Sequence, residues 1–411
     1  MSRRVKVLVL VWGLAWLGIG GLAALGFVVT AAVGWDAGFS LAVPMLAGLG
    51  GGGSVTAAAA LSFRNKPGTP LRLPPAWSLA GGLVLALAAG LGLWQAGISE
   101  GFLVPLFATA ASVLAPLAVA AWLIRRDVST PRGLAALGFG ATASVVLALV
   151  LNTLLAGVLA LLIFGLGDDA LGLIGETLDL LSGGLFGDRW ALVEMIAALV
   201  EIAILVPLVE ELVKPVALLP VLKRLPAARD ALLAGVLAGT GFAAVENLLY
   251  ATMFGEQWGG VLAARSLGAA LHPFGAGVMA VAWWGLLRRE PDASRHWLRN
   301  YAVAVGVHGL WNGTSIVAAT LAATWFQGWE ISVLGITEGA VLLALLALEG
   351  VGLLLLLRAV SRRLDRGTPA GTVTEATVPP ALPSDRAIAV WGVLCLVVLL
   401  PVGLGILRTV W

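Results

Sequence analysis

Apolar runs of twenty or more residues recur along this 411-residue chain, and they restrict its fold more than any other feature. Each matches the roughly 20 residues that an α-helix needs to cross about 30 Å of hydrocarbon. Inside lipid a segment must satisfy its own backbone polar groups, so an open sheet is excluded and an all-α, polytopic transmembrane bundle is expected. Composition agrees: 60% of the residues are hydrophobic and 12% charged, about half the charged share of a soluble domain.

The periodicity reads as about eleven spans, near 7–33, 38–63, 77–98, 102–124, 134–165, 191–222, 231–253, 261–287, 301–325, 331–357 and 387–407. A net charge of +2 conceals the segregation that orients them. With the N-terminus in the cytoplasm, cytoplasmic segments collect Arg3, Arg4 and Lys6; Arg64, Lys66 and Arg72; Arg125, Arg126 and Arg132; Lys223, Arg224 and Arg229; Arg288, Arg289, Arg295 and Arg299; and Arg358, Arg362, Arg363, Arg366 and Arg386. This is the positive-inside bias, and it puts the C-terminus outside. Residues 1–33 are read as a retained span, because their apolar run far exceeds the roughly 7–15 residues of a cleaved signal. The lone Cys395 can form no intrachain disulfide.

Between spans, Gly167–Trp190 reads as an external connector with a short amphipathic helix, and 364–386, rich in Pro and Thr, as a disordered cytoplasmic linker before a final span at 387–411. The lipid bilayer is thus one partner, and nothing points to nucleic acid. The oligomeric state is not fixed by the sequence.

A charge in hydrocarbon costs roughly 2.5–3.5 kcal/mol on insertion scales, so ionisable residues within spans mark functional candidates. They gather in four consecutive spans. The sixth carries Glu194, Glu201, Glu210, Glu211 and Lys214, and the seventh Phe242, Glu246 and Asn247. The eighth carries Arg265 and His272, and the ninth His308, Trp311 and Asn312. Glu210 to Lys214, Phe242 to Glu246 and His308 to Asn312 are each spaced i,i+4, which puts each pair on one helix face. On this spacing Lys214 is expected to keep Glu210 ionised. Carboxylates and imidazoles meeting near mid-membrane could activate water, protonate a leaving group and stabilise an oxyanion. They could equally bind zinc. Hydrolysis within the membrane is the reaction class that fits.

In "EELVK" (210–214), "FAAVEN" (242–247), His272 and "HGLWN" (308–312), taken in this order over successive spans, the sequence resembles the PrsW family of intramembrane proteases. That family is set within the wider CAAX-protease and bacteriocin-immunity group. The resemblance implies an endopeptidase that cleaves membrane-spanning protein substrates, of the anti-sigma-factor type, in a bacterial plasma membrane. It marks 133–360 as the catalytic core and leaves 1–132 as a four-span region of unassigned role. By motif, Glu210 would activate water, Glu211 and Glu246 would assist, and His308 with Asn312 would hold the oxyanion or orient the water. Lys214 would balance charge, with Asn247 in support and His272 completing the set. No cofactor is required on this glutamate-water route. Should a metal be held, zinc would be bound by Glu210, His272, His308 and Glu246.

Several residues also carry plainer readings. Glu194, Glu201, Glu338 and Glu349 read as helix–helix hydrogen-bonding groups, with Arg265 as a partner for Glu194 or Glu201. His272 precedes Pro273 and could mark a kink. His296 is solvated, and Phe242 and Trp311 shape the site by packing. The rival functions are a proton- or ion-coupled transporter, which also uses buried ionisable groups, and a catalytically inactive scaffold.

Overall fold

The computed structural model describes residues 3–32, 40–63, 69–98, 103–124, 128–165, 176, 195–222, 225–324 and 338–366. These are helical almost throughout and form no strand. Their helices are α1 (Arg3–Ala32), α2 (Ala42–Phe63, with a π-helical turn at Leu46–Gly52), α3 (Ala76–Gln95), α4 (Leu103–Leu123) and α5 (Thr130–Phe139), which a π turn at Gly140–Ser144 joins to α6 (Val145–Gly165). After a second such turn at Leu199–Leu205 come α7 (Val206–Val213), α8 (Ala228–Phe254), α9 (Trp258–Leu267), α10 (Leu271–Arg288), α11 (Ala293–Thr324) and α12 (Glu338–Arg366). Seven helices of the described residues are long and apolar enough to cross a membrane. The chain is a multi-pass helical membrane protein.

Of the expected spans that fall within the described residues, three are absent from those seven, and they are three of the four that carry the polar motifs. The stretch 191–222 is divided: the π turn precedes the eight-residue α7, Pro215 removes a helix donor, and a 3-10 turn at Val216–Leu218 follows. The stretch 261–287 is two helices, α9 and α10, that meet at Gly268–Ala270. The third, 301–325, lies within α11, whose polar residues, including His308, Asn312 and Thr314, dilute its hydropathy. The expected external helix within 167–190, the linker beyond residue 366 and the last span lie outside the described residues.

Helix α8 is the axis of the bundle. The apolar stretch Ala228–Leu267 is almost wholly buried in its most apolar part, so this segment meets protein where the outer helices meet lipid. Small residues make that possible. A Cβ at Gly239 would strike the carbonyl of His272, and one at Gly235 the carbonyl of Ala276, so α10 lies with its backbone against α8. On the opposite side a Cβ at Gly241 would strike the Leu137 carbonyl of α5. The main core fills the same seam with Leu232, Leu233, Val236, Leu237, Phe274 and Met279. Helices α3 and α4 close around the far end of α8 and around α9, with Trp258 buried against Gly90. The described residues ahead of 130 therefore pack into the same body as α8 and α9.

Gly239→Val should force α8 and α10 apart at the level of His272. An overpacking cost of about 1–3 kcal/mol is expected as a lowered apparent unfolding temperature of the detergent-solubilised protein.

Candidate active site

The site is assembled where helices break. Pro207 opens α7 and Pro215 ends it, so Glu210, Glu211 and Lys214 sit on a short rigid segment. Beyond Lys214 the chain tightens, with Leu218 N–H bonding the Pro215 carbonyl, and the Lys214 carbonyl takes its hydrogen bond from Ser144 Oγ at 2.9 Å. The π turn ahead of α7 leaves a carbonyl at Ile202 that Asn312 Nδ2 bonds at 2.8 Å. Gly309, one residue past His308, lets α11 approach the Ala203 carbonyl of that same turn. The "HGLWN" stretch thus presents His308 and, one turn on, clamps the irregular backbone that carries the glutamates.

Glu210, Glu211, Lys214, Glu246, His272 and His308 are all buried. His308 Nδ1 lies 2.8 Å from Glu211 Oε1, and His272 Nε2 lies 2.7 Å from Glu246 Oε2. A carboxylate only accepts, so each imidazole donates from that nitrogen and turns its other nitrogen, with its lone pair, to the interior. Those two, His272 Nδ1 and His308 Nε2, are each 4.0 Å from one oxygen, Glu210 Oε2. The rings lie edge to face, with centroids 5.2 Å apart. Both Glu210 Oε2 and His272 Nδ1 are buried with no hydrogen-bond partner.

Lys214 is shared by the two glutamates. Its Nζ is 2.6 Å from Glu211 Oε1 and 3.2 Å from Glu210 Oε2, the second contact an ion pair off hydrogen-bonding geometry. The sequence spacing paired Lys214 with Glu210, whereas its shorter bond is to Glu211. Phe242 lies 4.8 Å below the ammonium and 5.2 Å from the His272 ring, so it packs on both.

The structure separates the expected site residues into two groups. Glu210, His272 and His308 converge, with one donor atom each, all within 4.8 Å of one another. Glu211 and Glu246 stand behind the imidazoles, Asn312 holds the π turn, and Asn247 takes a hydrogen bond from Arg265 on its Oδ1 while its amide nitrogen lies 3.4 Å from the Ser112 carbonyl. Arg265 bonds Glu246 and Asn247 rather than Glu201, which corrects its expected pairing; Glu194 lies outside the described residues. Glu349 accepts a 2.7 Å bond from Thr314 Oγ1 across α11 and α12, the helix–helix role read for it. Asn152 was missed: its Nδ2 faces Glu210 Oε1 at 3.4 Å from α6. An amide inside "VVLALVLNTLLAG" was the available signal. The pentapeptide 97–101, Gly-Ile-Ser-Glu-Gly, has the spacing of a serine nucleophile elbow, but it follows helix α3 and not the strand that such a turn requires.

Two imidazoles and a carboxylate are the donors of a typical catalytic zinc site, and an imidazole whose far nitrogen is bound to a carboxylate is the usual form of a metal ligand. Formal charge agrees. Among the described residues, Glu210, Glu211 and Glu246 face only Lys214 and Arg265 as permanent cations, which leaves one buried negative charge that favours a bound cation. The residues present therefore fit a divalent ion.

Comparison with known proteins agrees with this chemistry. A family model described as PrsW family intramembrane metalloprotease matches residues 130–346, just over half of the chain. No curated protein and no solved structure matches it.

Asn312→Ala and Ser144→Ala each leave a backbone carbonyl beside α7 without its donor. Each should cost about 1–3 kcal/mol, read as a lower apparent unfolding temperature, and the two losses should add, because the two bonds hold opposite ends of α7.

Proposed function

The chain belongs to the PrsW family of intramembrane metalloproteases, and from that premise we propose that it hydrolyses a peptide bond of a membrane-spanning protein, with Glu210, His272 and His308 holding a metal ion. One observation carries the reading: three buried donor atoms from three helices face one another, and each histidine is backed by its own glutamate. When bound, an ion such as zinc supplies a Lewis acid for the scissile carbonyl and a water that ionises near neutral pH.

The protein's own residues perform the rest. Glu211 and Glu246 fix the imidazole rings and keep their inner nitrogens free to ligate. Lys214 offsets the charge of the paired glutamates, so that both can stay buried beside the reacting groups. Asn152 orients Glu210 through its other oxygen. Phe242 covers His272 on one face and excludes bulk water from it. The substrate class, a single-span protein of the anti-sigma-factor type, the bacterial plasma membrane and the cytoplasmic N-terminus are the parts of this proposal that rest on the motif resemblance and on charge distribution.

A second reading has a specific observation behind it. Glu210 Oε2 accepts no hydrogen bond and is flanked by both imidazoles, so it could itself take the proton from a water that they orient. On that route Glu210 would be the general base and no ion is needed.

Metal analysis and a cleavage assay separate the two. Wild-type protein should carry one ion per chain, lose cleavage of a single-span reporter in chelator and regain it with zinc. Glu210→Ala, His272→Ala and His308→Ala should each lose the ion, and cleavage should fall by about 10²-fold or more. Full cleavage by metal-free protein would replace the metal route with the glutamate route. Full cleavage by Glu210→Ala would defeat both, and flux of a solute in liposomes without cleavage would favour a transporter.

A further inference from the structure

Arg265 is the charged residue at the site that none of the motifs includes, and its surroundings are specific. Its guanidinium donates from Nη2 to Glu246 Oε2 and from Nε to Asn247 Oδ1, both at 2.6 Å. It lies 4.1 Å over the ring of Tyr250. Glu246, Asn247 and Tyr250 occupy one face of α8, so they form a cradle of carboxylate, amide and aromatic ring that suits the flat, forked guanidinium and fits an ammonium poorly. The side chain is 16% exposed.

The same oxygen, Glu246 Oε2, receives His272 Nε2 from the opposite side at 2.7 Å. Arg265 and His272 are seven residues apart, and on one continuous helix that separation is about 10.5 Å of rise. The break between α9 and α10 at Gly268–Ala270 lets both reach a single oxygen. The position of α9 is in turn fixed from outside the family-matched residues. Trp258 is buried against Gly90, Leu91 fills the space above Gly259, and the Ser112 carbonyl faces the amide nitrogen of Asn247.

We propose that Arg265 is a positioning residue: by holding Glu246 against His272 Nε2, it commits His272 to presenting Nδ1 to the cavity shared with Glu210 and His308. A free carboxylate at Glu246 could swing about its side chain, and His272 could then rotate or exchange the nitrogen that carries its proton. With Oε2 pinned between two donors neither change is available. This rests on the metal-site reading for its consequence in affinity, while its effect on His272 stands without any ion.

The test uses the full-length protein in detergent, with its three histidines labelled with ¹⁵N. In metal-free wild type the His272 ring should show the signature of a single tautomer protonated on Nε2. Arg265→Met should replace it with an average of the two tautomers, and Arg265→Lys, which keeps a cation but loses the fork, should fall between. In a cobalt titration Arg265→Met should bind about 10- to 100-fold more weakly than wild type and with an altered visible spectrum, neither of which a merely fold-stabilising residue would cause in protein that remains folded. If Arg265→Met does not fold, Asn247→Ala, which frees Nε, carries the same two readouts. An unchanged His272 signature overturns the proposal, as does unchanged cobalt affinity in a variant whose wild type binds cobalt. Wild-type protein that takes up no ion overturns the metal reading alone.

Discussion

A charge taken out of water into a protein interior costs several kcal/mol unless a partner meets it there, and that requirement orders the centre of this molecule. Glu211 is met by Lys214 and His308, and Glu246 by Arg265 and His272. Each carboxylate thereby has two donors, one cationic and one imidazole. Glu210 Oε2 and Glu211 Oε2 are buried with no hydrogen-bond donor, and it is toward the Glu210 oxygen that both histidines turn. Glu210 is the carboxylate of the three that receives no imidazole N–H bond, and it stands where the chemistry is proposed to occur, while the surrounding charges serve to hold geometry.

Irregular backbone is the means by which these groups are brought together. A straight helix distributes side chains over its whole circumference, so few can point to one spot. Here a π turn and a proline bound α7, and a three-residue break divides α9 from α10. Backbone groups freed at such points cannot turn to lipid for partners. Side chains of neighbouring helices, Ser144 and Asn312, supply them. Neither belongs to the chemistry, yet both maintain the segment that carries it. The helices ahead of residue 130 contribute in the same way, through Gly90, Leu91 and Ser112 around α9 and α8.

Much of this was legible in the sequence, and the limits have physical causes. Helical class followed from long apolar runs, and the polar cluster from the cost of charge in hydrocarbon. The i,i+4 spacings identified the helices and the residues on them. What spacing could not decide was rotation. Glu210 and Glu211 are adjacent, and the π turn ahead of them changes the helical phase, so which one faces the cavity depends on a backbone irregularity that "LVEIAIL" does not advertise. Asn312 has the right spacing from His308 to reach the cavity, yet its amide is drawn to the carbonyl that the same π turn leaves free. The division of 261–287 was hinted at by Gly268 and Pro273, but a span-length apolar run reads as one helix. Arg265 was recognised as needing an acidic partner. Its actual partner lies 19 residues away on the preceding helix, because the α8–α9 reversal folds the chain back on itself.

Gly275 illustrates how a site can depend on something missing. It lies within the regular helix α10, where alanine would be the better helix former by about 1 kcal/mol. A methyl group there would occupy the space now filled by the Glu211 carboxylate. The helix thus forgoes local propensity to leave a notch, and that notch seats the carboxylate which steadies His308. A substitution at this position that improved the helix would evict the glutamate, so stability and function pull in opposite directions at a residue that has no side chain with which to take part in either.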